Sequence, residues 1–205
     1  MPRIGRPREF DEDEVLGKAR DLFWARGYRA TSVQDLVDEL GIERGSLYAA
    51  FGDKHSLYLR AVELYWTRNR EQLETLVATD PVLPALYRMI TLPATATAVA
   101  SKRKTRGCLV GNTTAELVPG DPEAEALVAG AFEGFVEVVA DALGRGQANG
   151  EISTTATPEA QARLLLILFQ GTALVARASR GRQRLIEGVD IVFDALRTRE
   201  ARQGR

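Results

Sequence analysis

Apolar residues recur every three or four positions along almost the whole 205-residue chain, and very little of it alternates with the period of two typical of half-buried strands. Glycines interrupt this pattern at Gly27, Gly41 and Gly52, where each would end a helix. The sequence therefore predicts an all-α fold of about nine helices.

Four predicted helices, three of them short, make up the N-terminal part. The first ends before Gly27, and the second begins at Thr31, with Gln34 as its capping-box partner. A third covers about 44–51. Asp53 caps a long fourth helix that ends near residue 76. We predict a basic N-terminal arm at 1–10 and a compact domain at 11–65.

The second half of the chain reads as a separate helical domain over residues 66–200. Helical patterns cover about 82–101, 107–118, 121–147 and 158–179, followed by a final helix. Two of these helices open with a capping residue, then proline, then glutamate, which is a favourable start because the acid lies at the positive end of the helix dipole.

Composition excludes several classes of site. The formal charge is −1 for the chain, so nucleic-acid binding would depend on a local patch. One cysteine, Cys108, and one histidine, His55, allow neither an internal disulfide nor a multi-ligand Cys/His metal site, and we expect no cofactor. The basic start is followed by acidic residues, and the longest apolar block has six residues, so we expect a cytoplasmic protein with no membrane partner.

The most informative segment is residues 31–51, TSVQDLVDELGIERGSLYAAF. Two short amphipathic helices joined at Gly41 form the helix-turn-helix pattern, in which Leu36, Leu40, Leu47 and Phe51 can pack together. Spacing alone leaves an ordinary helical hairpin as an alternative.

The outer face of the second of these helices is small and polar. With Leu47 turned inward, Gly45 and Ala49 face outward, flanked by Arg44 and Tyr48 on one side and Ser46 on the other. Such a face can enter a DNA major groove, which is about 12 Å wide.

Residues from Gly5 to about Tyr65 resemble the DNA-binding domain of the TetR family of bacterial transcriptional regulators. The resemblance implies an all-α homodimer that binds a palindromic operator through this domain and a small-molecule effector through a divergent C-terminal domain. The matching segments are Ala19-Arg20-Asp21-Leu22-Phe23, Gly27-Tyr28, Thr31-Ser32-Val33, Asp35-Leu36, Leu40-Gly41-Ile42, Gly45-Ser46-Leu47-Tyr48, Phe51 and Asp53-Lys54.

The resemblance also assigns DNA contacts. Thr31 and Ser32 match phosphate contacts at the start of the first motif helix, and Lys54 matches another. The recognition-helix positions are Arg44, Gly45, Ser46 and Tyr48. The chain departs from the family pattern at Glu43, where Ser or Thr is common, and at Ala49 and Ala50, where bulkier residues are common. Arg44, Ser46 and Tyr48 would then carry more of the readout.

The basic N-terminal arm contains Arg6 and Arg8 around a Gly-Arg-Pro sequence that resembles minor-groove hooks. Beside a helix-turn-helix, we predict that both arginines contact DNA. The alternative is a solvated tail.

The C-terminal half predicts a dimer. Residues 164–169 are apolar around the whole helix, so one side would pack on the protein's own core and the other on a second copy, together with the final helix. The alternative is the central helix of a monomer.

An effector pocket is expected among the helices from about 57 to 150, although each candidate could equally be plain core. The candidate lining residues are Tyr65, Trp66, Tyr87, Met89, Leu109, Phe132 and Phe135.

Cys108 has two interpretations. It lies at a predicted helix N-terminus after Lys102, Arg103, Lys104 and Arg106, where dipole and cations favour the reactive thiolate. The segment also resembles one in a TetR subgroup, some of whose members sense electrophiles or oxidants. Alternatively, the side chain only packs.

The sequence thus predicts a homodimeric, effector-responsive repressor, released from a palindromic operator by a small molecule or by thiol modification. Two alternatives are a helical enzyme and a protein-interaction adaptor. The enzyme is poorly supported, because His55 has no obvious partner and no paired carboxylates or phosphate-binding loop stand out. The adaptor would leave Arg44 and Lys54 without a role.

Overall fold

The computed structural model describes residues 10–95, 106–178 and 183–198, and within these ranges the all-α prediction is confirmed. The described residues form nine helices and no named strand: α1 Glu12–Arg26, α2 Val33–Leu40, α3 Arg44–Phe51, α4 Lys54–Leu76, α5 Val82–Thr95, α6 Leu109–Leu117, α7 Pro122–Ala148, α8 Pro158–Ala178 and α9 Gln183–Leu196. The predicted helix over 82–101 is described only to Thr95, and its last residues lie outside the described ranges.

Helices α1 to α4 enclose the first hydrophobic core. Phe23, Leu36, Leu47 and Tyr58 are all fully buried there, and the Phe23 and Tyr58 rings meet edge to face with centroids 4.9 Å apart. Because Leu36 and Leu47 come from α2 and α3, the two motif helices share one core.

The start of α2 differs from the prediction by one residue. Ser32, not Thr31, is the N-cap: its Oγ accepts a hydrogen bond from Asp35 N (3.1 Å), and Ser32 N donates to Asp35 Oδ2 (2.8 Å). Asp35 therefore closes the capping box in place of Gln34. Thr31 is fully buried, and its Oγ1 donates to Gly27 O at 2.7 Å.

The second core lies among α5, α7, α8 and α9, where α7 and α8 pack along each other. Its fully buried side chains include Leu143 and Leu165. Helix α4 contributes to both cores, through Tyr58 to the first and Leu73 to the second. The boundary predicted at 65/66 falls inside this continuous helix and stays a prediction.

Helix α6 and the start of α7 pack against the first core. Trp24 Nε1 donates to Gly107 O (3.1 Å), and Tyr58 Oη and Thr113 Oγ1 are hydrogen-bonded at 2.8 Å. His55, expected to lack a partner, pairs with Asp121, so that expectation was wrong.

One described helix, α8, is long and apolar enough to cross a membrane, judged by length and composition alone. Only a third of the residues in its most apolar stretch are buried in the protein. Its buried residues include Leu165, Ala173 and Ala176, whereas Ile167 and Leu174 are exposed. The helix thus has one face in the core and one apolar face open.

Candidate functional site

Helix α3 presents a small, polar and basic surface. Arg44, Gly45 and Ala49 are exposed and Tyr48 is 42% exposed, while Ser46 is half-buried. The helix-wheel prediction thus matches the observed exposure. These residues form a ridge of one turn, with a guanidinium at its N-terminal end and a phenol one turn later, narrow enough for a major groove.

Two inward residues fix the orientation of α3. Leu47 is fully buried and Phe51 is 3% exposed, and the Arg60 guanidinium lies 4.8 Å from the Phe51 ring centroid. Glu43 is the N-cap but makes no side-chain capping bond. The first amides of α3 therefore receive no side-chain acceptor from their own cap.

Gly41 provides the turn between α2 and α3. Its φ of +67° and ψ of +28° lie in the left-handed region, and its N–H donates to Val37 O at 3.0 Å. A side chain at this position would be strained by its own backbone. The angle between the two motif helices therefore depends on glycine here.

The predicted phosphate contacts Ser32 and Thr31 differ in exposure, but both are hydrogen-bonded within the protein. Ser32 is exposed at the N-terminus of α2, where backbone amides favour an anion, but its N–H and its hydroxyl both donate to Asp35 Oδ2, at 2.8 and 2.6 Å. Its predicted phosphate contact stays a prediction. Thr31, in contrast, is buried and bonded to Gly27 O, so its predicted direct contact with phosphate does not fit the structure. The physical reason is that its hydroxyl ties α2 to the end of α1.

Lys54 is also engaged within the protein. Its Nζ donates to Tyr28 O (2.9 Å) and Thr31 O (2.8 Å), and it lies 4.2 Å from the Tyr28 ring centroid. The pKa of Tyr28 is raised above 10.0, mainly because the phenol is partly buried and also because the carboxylates of Asp53 and Asp121 disfavour a nearby negative charge. Lys54 thus holds the loop before α2, and its predicted phosphate contact stays a prediction. Arg6 and Arg8 lie outside the described residues.

A second candidate site is a cavity of about 180 Å³ bounded by α4 to α8. Five of the seven predicted pocket residues line it: Tyr65, Trp66, Met89, Phe132 and Phe135. Cys108 and Gln170 line it as well, and sequence reasoning missed Gln170 because nothing marks a glutamine on an apolar helix as a cavity residue.

For Tyr87 and Leu109 the structure differs from the prediction. Tyr87 Oη donates to Asp190 Oδ1 (2.7 Å) on α9, and its side chain lines a separate surface groove. Leu109 is 1% exposed and belongs to the first core. Both residues lie on the expected helices, but Tyr87 packs against α9 and Leu109 packs into the first core, so neither side chain lines the cavity.

Cys108 is the N-cap of α6 and is 7% exposed. Gln170 Nε2 donates a hydrogen bond to Cys108 Sγ at 3.5 Å. The pKa of the neighbouring Tyr65 is raised well above 10.0, mainly by burial and to a lesser degree by Cys108. Of the four cations expected near Cys108, Lys102, Arg103 and Lys104 lie outside the described residues. Arg106 instead faces α1, where it approaches Asp21 at 3.9 Å and the Trp24 ring at 5.6 Å.

Among the described residues no cluster of three or more potential metal ligands is found.

Two family models match the chain. The model described as "Bacterial regulatory proteins, tetR family" matches residues 15–61, and "Tetracyclin repressor-like, C-terminal domain" matches residues 85–190. The first match contains α2 and α3, and the second contains most of the cavity-forming helices.

Relatives and solved structures agree with these matches. The HTH-type transcriptional regulator YezE of Bacillus subtilis is 32% identical over 94% of this chain and 100% of its own length. The HTH-type transcriptional repressor ComR of Escherichia coli is 28% identical over 89% of this chain and 87% of its own. A cysteine mutant of the regulator CifR, solved with 26-bp double-strand operator DNA, is 27% identical, with a TM-score of 0.74 and coverage of 94% of this chain and 100% of that one.

Proposed function

Because this chain belongs to the tetR family of bacterial regulatory proteins, and is therefore a transcriptional regulator rather than an enzyme, we propose that it is a homodimeric repressor. It binds a palindromic operator through α3 and releases it when a small molecule enters the cavity or when Cys108 is modified. The observation that carries this proposal is the surface of α3, where Arg44 and Tyr48 face outward above the buried Leu47.

Operator binding is supported by the kind of proteins that share this fold and sequence. ComR is named as a repressor, and CifR was solved on operator DNA. Arg44 is suited to read a guanine edge, since a guanidinium can donate two hydrogen bonds to O6 and N7. The first amides of α2 are suited to hold a phosphate, whereas Ser32 would have to exchange its hydrogen bonds to Asp35 for one to phosphate. These roles also make an adaptor that uses the same hairpin for protein contact the weaker alternative.

The dimer is supported by apolar side chains that the single chain leaves exposed on α8 and α9. Ile167 is 69% exposed, Leu174 63% and Ile191 73%. Large apolar side chains that a single chain leaves exposed in this number favour an interface. We therefore assign the open face of α8 to a second copy rather than to a membrane, in keeping with a cytoplasmic regulator.

Effector response is supported by the helices that the cavity shares with the DNA-binding domain. Val110 of α6 and Tyr65 of α4 line the cavity. Helix α6 also carries Glu116, whose Oε2 accepts a hydrogen bond from Arg29 N at 3.1 Å, next to α2. A molecule that moves α6 would therefore shift the DNA-binding domain, and in a dimer this changes the separation of the two recognition helices, which successive major grooves require to be ~34–36 Å.

The proposal is tested by selecting binding sites from random-sequence duplexes with the full chain. We expect enrichment of an inverted repeat, because a two-fold dimer reads two equivalent half-sites. The selected site, placed over a promoter driving a reporter, should lower expression when the protein is produced. Enrichment of no sequence, or increased reporter expression, would contradict operator binding or repression, respectively.

A further inference from the structure

The cavity between α4 and α8 has aromatic walls. Trp66, Phe132, Phe135 and Phe169 line it, and the Phe135 and Phe169 rings stack with centroids 6.1 Å apart at an interplanar angle of 17°. Flat apolar walls of this kind favour a ring-shaped ligand, because aromatic pairs gain energy from stacked or edge-to-face contact beyond simple burial.

Every described residue that lines the cavity has an uncharged side chain. The polar groups are amides, a phenol, an indole N–H and a thiol; a phenol is neutral at pH 7, and burial raises the pKa of Tyr65 still further above its ordinary value. Arg70 of α4, whose guanidinium lies beside Gly134 near Trp66, is paired with Glu74 (2.8 Å) and Glu137 (3.1 Å). A charged ligand would lose its hydration and gain no counter-ion from these walls, which is costly.

The volume of the cavity indicates how large a ligand its walls can surround. Its volume is about 180 Å³. An apolar cavity of about 150 Å³ can hold benzene, so this one has room for one ring with a short substituent.

Gln170 gives the cavity one oriented polar group. Its Nε2 donates to Cys108 Sγ at 3.5 Å, and within the described part of the chain no hydrogen bond is donated to its Oε1. Gly111 makes room for this arrangement, since a Cβ there would lie 2.3 Å from Gln170 Oε1. The carbonyl oxygen of Gln170 therefore packs beside Gly111 at the cavity wall and receives no hydrogen bond among the described residues, and we assign to it a donor on the ligand.

We propose that the cavity binds a neutral, single-ring molecule that carries one hydrogen-bond donor directed at Gln170. This inference rests on the proposed function only in treating the ligand as the effector; the ligand class itself follows from the cavity. Judged by the described walls, cationic and anionic ligands of the same size should bind more weakly.

The test is calorimetric titration of the full-length protein, without DNA, using four probes that share a benzene ring: benzyl alcohol, toluene, benzoate and benzylammonium. Benzyl alcohol should bind most tightly. Its Kd should be lower than that of toluene by roughly 3- to 10-fold, the net effect of one hydrogen bond. It should be lower than those of the two ions by about tenfold or more.

Two variants and one control test the residues assigned to the cavity wall. Gln170→Leu keeps the size but removes the acceptor, so benzyl alcohol should lose its advantage over toluene. Gly134→Ala would place a Cβ 2.7 Å from Trp66 Cζ2 and displace the indole, so all neutral probes should bind several-fold more weakly. Gly130→Ala, one turn earlier on α7, meets nothing within 4 Å and should leave the affinities unchanged.

The inference is overturned if benzoate or benzylammonium binds as tightly as benzyl alcohol, if benzyl alcohol does not bind the wild-type protein, or if Gln170→Leu keeps the preference. Operator affinity is measured separately, because it tests whether the bound ligand acts as the effector in the proposed function. If benzyl alcohol binds in the predicted order but operator affinity is unchanged, the ligand class stands and the effector role of the cavity is wrong.

Discussion

His55 Nε2 and Asp121 Oδ2 lie 2.5 Å apart, which joins the start of α4 in the DNA-binding domain to the N-cap of α7. Asp121 Oδ1 also accepts hydrogen bonds from Glu123 N (3.1 Å) and Ala124 N (3.0 Å). The Ala124 amide and the His55 bond hold the Asp121 pKa below its usual range. One carboxylate therefore caps α7 and ties it to α4, so relative movement of these helices must change this contact.

His55→Ala removes the tie and leaves the α7 cap in place. We expect a lower urea midpoint, because a hydrogen bond to a charged group is lost. We also expect an effector to cause a smaller fold-change in operator affinity, because the two domains are less firmly coupled. Unfolding curves and operator titrations with and without effector measure the two effects. Unchanged values for both would show that the contact carries no coupling.

Ile167→Glu should break the dimer. It places a charge at the centre of the exposed apolar face, where association would bury it without a partner. Light scattering at micromolar concentration should give a dimer for the wild type and a monomer for the variant. Ala126→Glu adds the same charge at an exposed position of α7 and should remain dimeric. A monomeric wild type would contradict the assigned interface.

Cys108 either senses or packs, and alkylation distinguishes the two. If it senses, iodoacetamide should modify the folded protein, add volume in the cavity beside Gln170 and lower operator affinity. Cys108→Ser should bind the operator normally and ignore the reagent. Mass spectrometry and operator titration of the treated proteins give the answer. A thiol that stays unmodified, or an adduct that leaves affinity unchanged, would favour packing and a non-covalent effector.

The capping box of α2 should be sensitive to acid. The Ser32 hydroxyl, then the Ser32 amide and Arg26, lower the Asp35 pKa to about 2, below the unfolded value of about 3.9. A carboxylate with a lowered folded-state pKa stabilises above the unfolded pKa, and this stabilisation is lost as pH falls from about 4 towards 2.

Asp35→Asn should therefore be less stable than the wild type at pH 7, and the gap should narrow as pH falls below about 4. Urea midpoints measured from pH 7 to pH 3 test this. Asp38→Asn removes the same charge from an exposed position of the same helix and serves as the control. A gap that stays constant over this range would contradict the assigned role of Asp35.

The N-terminal domain was predictable because its signals are local. Gly41, Leu36 and Leu47 lie close in sequence, and helical periodicity alone specifies that both leucines turn inward. The wrong assignment of Thr31 as the N-cap of α2 also has a local cause, because Thr31 and Ser32 are adjacent and either hydroxyl could cap the helix. The Thr31 hydroxyl donates to Gly27 O at 2.7 Å instead, which leaves Ser32 as the cap.

The cavity was only partly predictable, because its limits depend on packing between distant segments. Tyr87 is hydrogen-bonded to Asp190, which is 103 positions away in the sequence, and Gln170 is hydrogen-bonded to Cys108, which is 62 positions away. The partner of His55 is 66 positions distant. Helical periodicity identifies buried faces, but it does not say which of them enclose a cavity or which helix supplies a polar partner.

The central claim is that α3 reads operator sequence, and fluorescence anisotropy with the selected inverted repeat and a random duplex, at one salt concentration, tests it most directly. The wild type should bind the repeat at least ~10³-fold more tightly than random DNA. Arg44→Ala should lose about 1–3 kcal/mol per half-site on the repeat and much less on random DNA, if Arg44 reads a base. Arg68→Ala, which removes an exposed cation from α4, should match the wild type. Equal affinity of the wild type for both duplexes, or an Arg44→Ala variant that binds the repeat as tightly as Arg68→Ala does, would contradict the account.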